Sequence, residues 1–132
     1  MKKLVIYRKK QFASALMPYW VVTTISKSEF MERFQLTDDI SCCIDEYGQP
    51  VPRMEFNPQE YGVPISIGKT LELKINESIK SVFAVTMSGL VSNEIILNSQ
   101  SASYQILVET KGGWKTPSYP RLTLEASCLA HL

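Results

Sequence analysis

From Thr70 to Glu125 the chain repeats one pattern: short runs of alternating apolar and polar residues, each closed by turn-forming residues. Side chains of an extended strand point alternately to its two faces, so alternation at period two is the signature of a half-buried strand. Thr70–Ile75 shows it cleanly, with Leu71, Leu73 and Ile75 on one face. Asn76-Glu77 is a turn signal, Ser81–Met87 is a second run, and Gly89 ends or bulges it. Glu94–Leu97 makes a third run and Ala102–Glu109 a fourth, with Tyr104, Ile106 and Val108 alternating. Lys111-Gly112-Gly113-Trp114 turns the chain into a last strand at Arg121–Glu125. A second half built this way confines the chain to β architectures.

The first half contributes two more strands and one helix. Lys3–Phe12 reads as a strand, and Tyr19–Ile25, dense in aromatic and β-branched residues, carries the strongest strand signal in the chain. The two could form a hairpin through Ala13–Met17. Ser28 is a fair N-cap for a short helix ending near Leu36, and Phe30, Met31 and Phe34 fall on one helical stripe that packs on a core. Residues 37–64 are irregular, acidic and broken by Gly48, Pro50, Pro52, Pro58, Gly62 and Pro64, like an insertion in the β pattern. Within them, Val51 and Met54-Glu55-Phe56 could supply a short edge strand. The expected fold is therefore all-β: an antiparallel β-sandwich or open barrel of about seven strands, with one short helix near 28–36. At 132 residues it makes a single domain, spanning 1–132.

Net charge is +1, which gives no global field toward nucleic acid or membrane. Lys2, Lys3, Arg8, Lys9 and Lys10 precede an apolar stretch from Phe12 to Val22, yet Ala13-Ser14-Ala15 stands at the start of that stretch, where a cleaved leader needs its small residues at the end. Pro18 splits the stretch, and no run is long enough to span a membrane as a helix. The three cysteines are Cys42, Cys43 and Cys128. An odd count with an adjacent pair points to a reducing, cytoplasmic setting, a Cys42–Cys128 bridge being the alternative.

Most reaction types lack their residues. His131, one residue from the end, is the sole histidine, so a Ser-His-Asp or Cys-His arrangement has no credible base. Cysteine spacing does not suit zinc, and neither phosphate-loop pattern occurs around Gly112-Gly113. No cofactor is indicated. Between Glu29 and Glu60 eight acids face only Arg33 and Arg53. Asp38-Asp39 and Asp45-Glu46 could hold a hard cation, but their spacing departs from a calcium loop. Two of the carboxylates could instead act as acid and base on a sugar. A plainer account is a solvated acidic loop beside a basic strand. Tyr19, Trp20, Trp114 and Tyr119, with Lys9, Lys10, Lys111 and Lys115, could stack on single-stranded nucleic acid, which the near-zero net charge disfavours. The candidate binding residues are thus Trp114, Tyr119, Asp38, Asp45, Glu46 and Glu55, with no catalytic residue and no metal site.

Val5-Ile6-Tyr7-Arg8-Lys9-Lys10-Gln11-Phe12-Ala13-Ser14-Ala15, followed by Pro18-Tyr19-Trp20-Val21-Val22, resembles the opening of small uncharacterised bacterial β-sandwich domains. Those begin with a basic strand, a Phe-x-Gly-Ser/Ala-like turn and a Pro-Tyr-x-Val strand. Gly68–Leu73 is similar to their Asn-Gly-Lys strand entry, and Ser92-Asn93-Glu94-Ile95 to their Ser-Asn strand start. Ala13 stands where glycine is usual, Ile67 where asparagine is usual, and residues 27–64 look like an insertion relative to the usual short hairpin. The resemblance covers about half the chain and implies a fold without an activity. The function expected from the sequence is a non-catalytic interaction or accessory module that binds a protein partner or self-associates. A ligand-binding or enzymatic domain with its site in 37–64 is the alternative.

Overall fold

Two strands have no polar face, and this shapes the architecture. Every residue of β2 (Tyr19–Val22) and of β5 (Ser81–Val85) is buried. A strand covered on one side alternates, whereas a strand covered on both reads as a continuous apolar run. The structure, a computed structural model, describes residues 2–11, 17–36, 46–47, 57–87, 89–97, 102–112 and 119–125. Among them the other strands are β1 (Lys2–Arg8), β3 (Gly62–Ile65), β4 (Thr70–Ile75), β6 (Ile95–Ile96), β7 (Ser103–Lys111) and β8 (Tyr119–Leu124). One α-helix, α1 (Lys27–Phe34), and a 3₁₀ turn at Pro58–Glu60 complete the described elements. The strands form two four-stranded sheets, ordered β4-β1-β7-β8 and β3-β2-β5-β6.

The sheets pack face to face, and α1 covers the outer side of the second, so there are three layers. Leu4, Ile6, Tyr104, Ile106, Val108 and Leu122 of the first sheet meet Tyr19, Val21, Val82 and Ala84 of the second in one core. The alternate residues of β2 and β5, Trp20, Val22, Phe83 and Val85, turn the other way and pack under α1 with Phe30 and Leu36. Phe30 is the anchor: its ring lies 5.0 Å from Phe34, 5.3 Å from Phe83 and 5.7 Å from Tyr61. Tilted and edge-on pairs of this kind add to the area buried.

The all-β fold and the core role of the helical stripe are as expected, and four details differ. First, β1 and β2 do not form a hairpin; they belong to different sheets, and β1 lies between β4 and β7. Both faces of Tyr19–Val22 are apolar and need cover, which a two-stranded ribbon with basic β1 would not supply. Second, the β1–β7 pairing is parallel, so the first sheet is mixed. Third, the end of the 37–64 segment is regular: β3 pairs antiparallel with β2, from Tyr19↔Ile65 to Val22↔Gly62. Its proline is accommodated because β3 is an end strand of the described sheet. The strand considered at Val51 and Met54–Phe56 lies outside the described residues. Fourth, Ser26 rather than Ser28 caps α1, its hydroxyl accepting from the Glu29 N–H at 3.2 Å. The carboxylate of Glu94 accepts the Lys27 N–H at 2.8 Å, adding negative charge at the helix N-terminus and tying α1 to the second sheet.

Candidate functional site

Of the six candidate binding residues, Asp38, Asp45, Glu55 and Trp114 lie outside the described residues. Glu46 is exposed beside Tyr47, which is 79% exposed. Tyr119 opens β8, half-buried and opposite Lys111. The stacking surface is also reduced, because Tyr19 and Trp20 are core residues and Lys9 pairs with Glu109 at 3.6 Å.

The basic first strand is not simply solvated. Its inner face reads Lys2, Leu4, Ile6, Arg8, all buried. Lys2 reaches the Ile79 carbonyl at 3.4 Å at one end of the core. Arg8 closes the other end: one guanidinium nitrogen donates to the carbonyls of Met17 at 2.7 Å and Ile65 at 3.0 Å. The same group lies 3.9 Å from the centroid of the Tyr19 ring, whose hydroxyl is 2.8 Å from that of Thr110. Burial pushes the Arg8 pKa down from its ordinary value, and Tyr19 partly offsets the effect. Gln11 completes this end, its amide bonding both the N–H and the carbonyl of Thr110. These contacts join β1, β2, β3 and β7 and have a structural role. The outward cations Lys3 and Lys9 find carboxylates on the neighbouring strands, Lys3 with Glu72 at 3.0 Å and Lys9 with Glu109. Among the described residues, the carboxylates that meet this basic strand thus come from neighbouring strands.

The sheet ends differ from one another. β8 carries Pro120, and the Asn93 side chain bonds both the N–H and the carbonyl of Leu122 at 2.8 Å, occupying backbone positions that another strand would use. β3 is four residues long and contains Pro64, while β6 is two residues long. Short strands, prolines and covered backbone groups each protect an edge from pairing. Among the described residues β4 has no proline, no such brevity and no side chain bonded to its outer backbone groups; its only edge charges are Glu72 and Lys74. It is six residues of uninterrupted alternation, with Leu71 and Leu73 only half-buried, and β1 is its paired neighbour among the described strands. Alternation was legible in the sequence, but position at a sheet end was not. Comparisons with protein-family models, with curated proteins and with solved structures found no match.

Proposed function

We propose that this chain is an interaction module that binds another polypeptide by strand addition to β4. The observation that carries this reading is the contrast among the four sheet ends: three are guarded by proline, by brevity or by the Asn93 amide, and among the described residues β4 has none of the three. Strand addition draws affinity from main-chain hydrogen bonds and specificity from alternate side chains. On β4 these are Leu71 and Leu73 toward the core, and Thr70, Glu72 and Lys74 toward solvent. A non-catalytic role in a bacterial cytoplasm is part of the same proposal, supported by the family resemblance and the cysteine pattern.

The test is a substitution that blocks the edge while sparing the fold. Lys74→Pro removes an N–H from β4 and puts a ring where an added strand would lie. The wild-type chain, immobilised, should retain at least one protein from its native host that the Lys74→Pro variant does not, with both chains melting within a few degrees. Equal recovery from both would refute strand addition at β4.

A further inference from the structure

Building on that interaction reading, we infer that β4 pairs with β4 of a second copy of this chain, antiparallel and centred on Leu73. The backbone sets the parity of such a contact. Arg8 donates its N–H to the Lys69 carbonyl at 3.0 Å, and the β1–β4 register runs from Tyr7↔Thr70 to Lys2↔Ile75. Hydrogen-bonding direction alternates along an antiparallel ladder. Leu71, Leu73 and Ile75 therefore address β1, while Thr70, Glu72 and Lys74 present their N–H and C=O groups to the outer edge. A second β4 must bond through the same three residues, which restricts the registers available.

Charge then selects among them. One register places Glu72 opposite Glu72 of the second copy and another places Lys74 opposite Lys74, and like charges directly across a ladder are destabilising. The register between those two places Glu72 opposite Lys74 twice over. It also sets Leu73 against Leu73, and Leu71 against Ile75, on the inner face, covering the two half-buried leucines. The single chain has a matching need. Lys74 lies directly across from Lys3, and Lys3 forms an ion pair with Glu72. Pairing gives Lys74 a carboxylate on its other side. The result is a continuous eight-stranded sheet about a two-fold axis, an isologous contact of the commonest symmetry.

One strand pair is a small interface, so association is expected at roughly 0.1–1 mM protein. Sedimentation equilibrium of the wild-type chain should show a monomer–dimer equilibrium in this range. Glu72→Lys or Lys74→Glu should each weaken it about tenfold or more, by setting like charges across both pairs. The double variant Glu72→Lys/Lys74→Glu should restore it, and an equimolar mixture of the two single variants should form a heterodimer. Amide exchange at Glu72 and Lys74 should slow as concentration rises, whereas that at Leu71 and Leu73 should not change. A wild-type chain that stays monomeric to about 1 mM, or a dimer indifferent to these charges, overturns the self-pairing. If self-pairing fails while Lys74→Pro still abolishes capture of a different protein, the interaction module stands and its partner is not a second copy. If capture is also indifferent to Lys74→Pro, both proposals fall.

Discussion

Replacing Arg8 by Met keeps the length of a buried side chain on β1 and removes its charge and donors. Three contributions decide the outcome. Two carbonyls, those of Met17 and Ile65, lose donors at 2.7 and 3.0 Å. The buried Ile65 carbonyl left unsatisfied costs about 1–3 kcal/mol and the part-buried Met17 carbonyl, which water can reach, costs less, so the two together cost about 1–4 kcal/mol. The ring of Tyr19 loses a cation 3.9 Å from its centroid, a contact worth about 2 kcal/mol when desolvated. Against these, the fold no longer desolvates a guanidinium, which returns several kcal/mol. The expected net loss is about 2–4 kcal/mol, because the Ile65 carbonyl stays where the end of β3 holds it and methionine offers no donor. Urea unfolding monitored by tryptophan fluorescence measures it directly. For a domain of this size it corresponds to a fall in Tm of roughly 6–20 °C. A double-mutant cycle with Tyr19→Leu separates the ring contact, which should appear as a coupling of about 0.5–2 kcal/mol. An Arg8→Met chain as stable as the wild type would show that Arg8 does not hold this end of the sandwich through those carbonyls.

Other contacts have equally direct consequences. Asn93→Ala removes both hydrogen bonds to Leu122, should cost about 1–3 kcal/mol in urea unfolding, and should increase concentration-dependent light scattering by uncovering the β8 edge. Gly62→Ala would place a Cβ 2.8 Å from the Val21 carbonyl on the paired strand, where backbone cannot yield easily; a loss of about 1–3 kcal/mol is expected, and an unchanged Tm would contradict the close approach of β3 to β2. Gln35 closes α1 at φ 55°, in the left-handed region that disfavours side chains, so Gln35→Gly should raise stability by up to about 1 kcal/mol, read as a higher urea midpoint at unchanged slope.

Periodicity along the chain carried the local structure. Leu71, Leu73 and Ile75 recur at spacing two, and Tyr104, Ile106 and Val108 do the same, because each strand must bury one face whatever its neighbours are. Phe30, Met31 and Phe34 marked the helix and its packing face for the same reason. The apolar run at Tyr19–Val22 signalled a strand strongly, but it could not say that one face meets a sheet and the other a helix. Pairing partners come from distant segments, and nothing local in Lys2–Arg8 specifies an antiparallel neighbour at Thr70–Ile75 and a parallel one at Ser103–Lys111. Charge was the least legible property: Arg8 and Lys3 look alike in a basic segment, yet alternation sends one into the core and the other to Glu72. Pro64 hid a strand, because proline excludes a residue from the middle of a sheet but not from its end. Apart from β3, the strands were therefore legible in the alternation and apolar runs of the chain. Which of the described strands ends a sheet was decided only by the tertiary arrangement, since an edge is a property of neighbours in space.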